Sequence, residues 1–254
     1  MSGETRDGFL DGRLTIVQPK NGYRAGADPV LLAAAVDAAK GDRVLELGCG
    51  VGVALFCLMH RVPGLIATGI EQQAGLLSLA RQNADANRMS ARLIAADIAV
   101  LPADIRAESF DHVLANPPYF VRAAGPGADE PGREAGRGEV APLASWIDVA
   151  TRRLKPRGQL TLIQRASRLG DVLRAMDYRL GDVVVQPLAP RQGRPARHIV
   201  VTATKNARGE MRLMAPLVLH EGEAHEGDWD GYSAQAKAIL RDGLSLSDAK
   251  LVLM

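Results

Sequence analysis

Val44-Leu45-Glu46-Leu47-Gly48-Cys49-Gly50-Val51-Gly52 is the stretch from which the fold of this chain can be read. Arg43–Leu47 is a short apolar run and reads as a buried strand; Val51–His60 continues at helical spacing. Between them alternate glycines remove the Cβ atoms that would keep a ligand from the backbone. A strand, a glycine turn and a helix, in that order, start a nucleotide-type α/β unit. Such a turn alone does not identify its ligand, because several folds use it.

The same alternation continues outward. Leu65–Ile70, Arg92–Ala95 and Asp111–Ala115 read as strands, and Gln73–Asn87 as a helix between the first two. Leu143–Leu154 is a helix stopped by Lys155-Pro156-Arg157-Gly158, and Gln159–Gln164 is the next strand. Val183–Gln186 and His198–Thr204 are further strands joined by a loop rich in Pro, Gly and Arg, which predicts an antiparallel pair at that edge. Before the first strand, Asp28-Pro29 reads as a helix N-cap and first helical position, and Gly41 as its C′ stop. Residues 123–142 and the acidic stretch 221–231 break the pattern and read as loops.

Three acids follow the strands. Glu46 lies two residues before the first glycine, Glu71 closes the second strand, and Asp97 follows the third. In an open parallel sheet, ligands bind beyond the carboxyl ends of the strands, so all three are expected at one crevice. An acid after the second strand suits ribose hydroxyls, and one after the third suits an adenine amine. Glu46 is expected to face the amino acid end of a ligand or to organise the turn. Three carboxylates favour a cationic ligand over a pyrophosphate.

This pattern resembles the class I S-adenosylmethionine-dependent methyltransferases. The likeness rests on Glu46–Gly52 (ELGCGVG), Glu71 and Asp97, and extends over roughly residues 25–205. It implies a Rossmann-like α/β fold: a seven-stranded, mostly parallel sheet with an antiparallel edge strand and helices on both faces. S-adenosylmethionine is the implied cofactor, with Gly48, Cys49, Gly50, Gln72 and Ile98 among its contacts. The implied division is a cofactor-covering segment over 1–40, the methyltransferase domain over 41–205 and a packed C-terminal extension over 206–254.

Asn116-Pro117-Pro118-Tyr119 ends the fourth strand. The prolines stiffen the backbone and remove two amide donors. The Asn116 side-chain carbonyl and the Pro117 carbonyl are placed to accept the two N–H bonds of a planar amine, and Tyr119 offers a ring for stacking. This tetrapeptide is similar to the signature of methyltransferases acting on adenine, guanine or glutamine amides. It makes Asn116, Pro117, Pro118 and Tyr119 the expected catalytic group, with Asn116 also near the cofactor.

The segment from Gln18 to Leu32 resembles the corresponding stretch of the bacterial tRNA(Val) adenine-N(6) methyltransferase family, within the methyltransferase small domain. That resemblance implies that Arg24, Gly26 and Asp28 lie near the methionine end of the cofactor. It implies RNA, specifically tRNA, as partner. Charge agrees: net charge is +2, but residues 151–212 hold fourteen Lys/Arg against four Asp/Glu. Arg191, Arg194 and Arg197, with Lys205, Arg152 and Arg153, are the expected phosphate contacts. The alternatives are a protein glutamine amide methyltransferase and a non-catalytic RNA-binding module.

Composition sets the remaining bounds. Apolar residues make up 47% of the chain, enough for a full core. No apolar run reaches the roughly eighteen residues of a membrane span, and the polar N-terminus lacks a signal core. Two cysteines, Cys49 and Cys57, suggest neither a disulfide framework nor a metal site; a reducing cytoplasm is expected.

Overall fold

The structure, a computed structural model, describes residues 3–119, 141–222 and 231–251. Most of the 123–142 and 221–231 loops read from the sequence lies outside the described residues.

The chain opens with a hairpin, β1 (Glu4–Phe9) and β2 (Leu14–Pro19), then helix α1 (Ala27–Ala34). The glycine unit follows as β3 (Arg43–Leu47) and α2 (Val53–Arg61). Next come β4 (Ile66–Glu71), α3 (Ala74–Ala86), β5 (Ala91–Ala95), the short helix α4 (Ala103–Ala107) and β6 (Phe110–Ala115). After the undescribed segment stand α5 (Leu143–Arg153), β7 (Leu154–Arg165), α6 (Leu169–Ala175), β8 (Leu180–Arg191) and β9 (His198–Lys205). The chain closes with β10 (Arg212–Leu213), β11 (Leu217–His220), α7 (Ala234–Leu240) and α8 (Leu246–Leu251).

Among the described residues nine strands form the main sheet, in the order β10-β8-β9-β7-β6-β3-β4-β5, with β11 also paired to β8. The seven strands from β8 to β5 make the expected mostly parallel sheet. Within it β9 alone runs antiparallel, between β7 and β8. Short parallel pairings of β10 and β11 on β8 then extend that side. Strand order reverses between β3 and β6, so the topological switch point lies at their carboxyl ends.

Each strand splits its side chains between two cores. Val44, Leu114 and Ile163 face the layer of α1, α2 and α7; Leu45, Leu47, Val113, Leu160 and Leu162 face α5 and α6. Burial on both faces explains why these strands read as unbroken apolar runs.

Three local readings are corrected. Asp28 does not cap α1; Gly26 is the N-cap and makes no side-chain cap bond, so the helix begins two residues earlier, at Ala27. The helix ends at Ala34, and Gly41, at φ +94°, turns the chain just before β3. Lys155-Pro156-Arg157-Gly158 belongs to β7, where the register with β6 shifts between Phe110 and His112.

The β1–β2 hairpin is fastened by side-chain amides rather than by the main sheet. Asn83, fully buried on α3, accepts from Val17 N at 2.8 Å and donates to Val17 O at 3.0 Å. One turn on, Asn87 repeats this with Thr15 N and O at 2.9 and 2.8 Å. The two asparagines act as a short stand-in strand and close the open edge of β2. Asn83 also donates to Val51 O in the glycine turn at 3.0 Å.

Asn83→Ala leaves the Val17 N–H and two carbonyls without these partners. It is expected to cost about 3 kcal/mol and roughly 10 °C in Tm. Asn87→Ala, at a more exposed contact, is expected to cost about 1 kcal/mol. Thermal melts of the two variants check this; equal losses would contradict it.

Candidate active site

The site is built from strand ends held level. Leu47 of β3 pairs with Ile70 of β4 on one side and with Ala115 of β6 on the other. The next residues, Gly48, Glu71 and Asn116, therefore stand side by side at the carboxyl ends of these strands. They border a cleft of about 780 Å³, a size suited to a cofactor-sized ligand. All the residues expected at the site line this one cleft: Arg24, Gly26, Asp28, Glu46, Gly48, Cys49, Gly50, Glu71, Gln72, Asp97, Ile98, Asn116, Pro117, Pro118 and Tyr119.

Gly48 and Gly50 have positive φ, +66° and +54°. A Cβ on Gly48 would lie 2.6 Å from the Trp146 ring, which closes over the turn from α5. A Cβ on Gly50 would meet no atom within 4 Å and would stand in open space beside the cleft. The turn thus leaves room for a ligand against the backbone.

The acids are held by backbone donors. Glu71 accepts from Gly50 N at 2.9 Å and from Gln73 N at 2.8 Å. Asp97 accepts from Ala99 N at 2.8 Å. A carboxylate has about four acceptor positions, so Glu71 and Asp97 keep capacity for ligand hydroxyls or amines. Glu46 is more deeply set and accepts from Leu55 N in the first turn of α2 at 3.0 Å. Of its two expected roles, organising the turn is the one this bond serves. Burial pushes the Glu46 carboxyl well above the ordinary carboxylate range; the Leu55 N–H opposes this and Glu71 adds to it. Burial also pushes the Cys49 thiol well up, with Glu46 and Glu71 adding to it, which disfavours the thiolate.

On the acceptor side, Asn116 Nδ2 donates to the Tyr23 hydroxyl at 3.1 Å. The Tyr119 hydroxyl donates to Asp28 Oδ2 at 2.7 Å, which is where the Asp28 carboxylate goes instead of capping its helix. Burial raises the Tyr119 phenol, and the Asp28 charge raises it further, so it stays protonated and keeps donating. His198, at the start of β9, sets its ring 5.3 Å from the Tyr119 ring, and the Arg165 guanidinium lies 6.0 Å from that ring. Arg24 directs its guanidinium to Asp7 at 2.8 Å.

Sequence reasoning missed Tyr23, Trp146, Arg165 and His198. Arg165 and His198 carried one usable signal: they sit where two neighbouring strands end and begin at the cleft edge.

The basic segment divides in two. β8 runs parallel to the β3–β7 strands, so the turn after Arg191 lies at the cleft edge with Arg194 and Arg197 exposed. Arg191 donates to the Gly222 carbonyl at 3.1 Å. Arg152, Arg153 and Lys205 lie at the opposite edge. Arg152 pairs with Asp148, Arg153 donates to the Ile105 carbonyl and Lys205 to the Leu154 carbonyl. Arg152 and Arg153 stand on the helix before the hairpin, as expected, but these three residues lie away from the cleft edge where Arg191, Arg194 and Arg197 are found.

Residues 26–185 match the family described as methyltransferase small domain. A tRNA1(Val) (adenine(37)-N6)-methyltransferase of Porphyromonas gingivalis is 34% identical over 183 residues, 68% of this chain and 71% of that protein. One of the same name from Aeromonas hydrophila is 26% identical over 87% of this chain and 92% of its own length. The fold is that of a predicted O-methyltransferase from Agrobacterium tumefaciens, with TM-score 0.69 at 24% identity, covering 86% of this chain and 97% of that one.

Glu46 makes stability depend on pH. A carboxyl whose folded pKa exceeds its unfolded value binds its proton more tightly when folded. Its contribution is complete at low pH and is lost as pH rises above about 4.3 toward the raised value. Glu46→Gln keeps an acceptor for Leu55 N and does not titrate. It is expected to match the wild type near pH 4 and to exceed it increasingly toward pH 8 in urea unfolding without ligand. A constant difference across that range would contradict this.

Proposed function

The chain belongs to the methyltransferase small-domain family, and on that premise we propose that it methylates the exocyclic amine of adenine in a tRNA. It is an S-adenosylmethionine-dependent N-methyltransferase. The observation that carries the acceptor assignment is the register of Leu47 with Ala115, which sets Asn116 beside the glycine turn. S-adenosylmethionine, when bound, supplies a methyl group on a cationic sulfur. The fit rests on the open space over Gly50 and on the acid-lined cleft, which favours a cation.

In this reading Glu71 holds ribose hydroxyls, Asp97 accepts from the cofactor's adenine amine, and the Gly48–Gly50 backbone lies against the ligand. Gln72, Ile98 and Cys49 line its binding wall, and Arg24, Gly26 and Asp28 border the methionine end.

The acceptor amine is a poor nucleophile because its lone pair is delocalised into the ring. Asn116 Oδ1 and the Pro117 carbonyl take its two N–H bonds. They fix the nitrogen and favour the pyramidal geometry it needs for attack. Tyr119 stacks on the base, worth about 1–3 kcal/mol. Arg194 and Arg197, with Arg191, contact phosphates of the RNA at the cleft edge. A cytoplasmic setting follows from such a substrate.

Radiolabelled methyl transfer to total RNA and total protein, followed by nucleoside analysis, tests this reading. The expected product is N6-methyladenosine in tRNA; label in protein alone would favour the glutamine reading. Asn116→Ala should lower the transfer rate about 100-fold or more. Asn116→Asp, which keeps an acceptor, should retain more activity than Asn116→Ala. Neutralising Arg191, Arg194 and Arg197 together should flatten the plot of log affinity against log salt by about two units of slope. An unchanged slope would remove these arginines from the interface.

A further inference from the structure

The Asn116 amide has two ends of opposite character, and only its carbonyl end accepts from an incoming amine. An asparagine at the end of a strand ordinarily turns its side-chain oxygen back onto a backbone N–H one or two residues on. Here those residues are Pro117 and Pro118, and neither has an N–H. The backbone therefore cannot capture Oδ1, but it cannot orient the amide either. That task falls to a group from elsewhere in the chain.

We infer that Tyr23 is a positioning residue for methyl transfer: its hydroxyl accepts from Asn116 Nδ2 and so turns Asn116 Oδ1 toward the acceptor amine. The bond measures 3.1 Å and joins residues 93 positions apart. Tyr23 itself is held in place. The almost fully buried Gln18 grips Ala25, accepting from its N–H at 2.8 Å and donating to its carbonyl at 3.3 Å. Arg24 is anchored on Asp7 at 2.8 Å. The same segment makes a second cross-link to the acceptor turn through Asp28 and the Tyr119 hydroxyl, at 2.7 Å. One short stretch thus fixes both the amide and the ring that the acceptor meets.

A phenol hydroxyl can donate as well as accept. With the amide reversed, Tyr23 would donate to Oδ1 and Nδ2 would face the cleft, where it would oppose the N–H bonds of the amine. The role assigned to Tyr23 therefore rests on the proposed amine acceptor and commits to one orientation of Asn116.

The test compares wild type with Tyr23→Phe, which keeps the ring and removes the hydroxyl. In the free protein, the side-chain amide signals of Asn116 in a 15N-labelled NMR spectrum, assigned by their loss in Asn116→Asp, are expected to shift. Under single turnover on tRNA, methyl transfer should slow about three- to tenfold, the worth of one oriented hydrogen bond. S-adenosylmethionine affinity by calorimetry should stay within about twofold, and Tm within roughly 2 °C. Unmoved Asn116 signals, an unchanged transfer rate, or an equal loss of cofactor affinity would each overturn the inference. If wild type transfers no methyl to RNA, the acceptor reading fails, while the amide spectrum still decides whether Tyr23 holds Asn116.

Discussion

The pairing of Leu47 with Ile70 on one side and Ala115 on the other is the constraint from which the site follows. It brings a glycine turn, an acid and an asparagine to the same level at the switch point of the sheet. The register is enforced by burial. Val44 and Leu114 face one core while Leu45, Leu47, Val113 and Ala115 face the other. A slip of one residue would exchange every one of these faces. It would also move Glu46 away from Leu55 N. Each misplaced large side chain would cost about 1.5–3 kcal/mol, so the register is not negotiable within the marginal stability of a domain.

The acids at this edge create an electrostatic problem, solved in part within the protein. Glu46 and Glu71 are both almost wholly buried, and the Glu71 charge adds to the burial that disfavours ionisation of Glu46. Backbone N–H groups of Gly50, Leu55 and Gln73 stabilise them, and among the described residues no Lys or Arg forms an ion pair with either. A cationic ligand in the cleft would complete the compensation. Binding and the protonation of Glu46 are therefore linked: a positive ligand favours the ionised form that burial opposes.

The central strands were legible because burial on both faces makes them uniform apolar runs between turn signals. Arg43–Leu47 is read to its ends, and Asp111–Ala115 falls one residue short of β6. From sequence β8 is visible only as Val183–Gln186, because Pro187 and Pro190 argue against a strand. The structure accommodates Pro187 where β10 has already ended, at its pairing with Val185, and β11 begins only at Leu188. Asp28-Pro29 had the local form of a cap, but a tertiary partner, Tyr119, took the carboxylate. Trp146 and Tyr23 had no local signature, since each reaches the site across a long sequence separation. The cleft-lining acids and glycines were legible because their roles are tied to strand ends, which the apolar pattern locates.

The N-terminal hairpin is joined to the cofactor side and the acceptor side by one line of polar contacts. Asn87 and Asn83 hold β2 to α3, and Asn83 reaches on to Val51 O in the glycine turn. At the end of β2, Gln18 holds Ala25, beside Tyr23 and Asp28, which bond to Asn116 and Tyr119. Side-chain amides suit this line because each offers a donor and an acceptor to a backbone N–H and C=O at once. Their geometry is directional, whereas apolar packing alone would let the hairpin slide. A shift of the hairpin by a fraction of an ångström would reach Tyr23 and Asp28 directly. The first strands of the chain, outside the main sheet, thus govern how accurately the acceptor is met at its switch point.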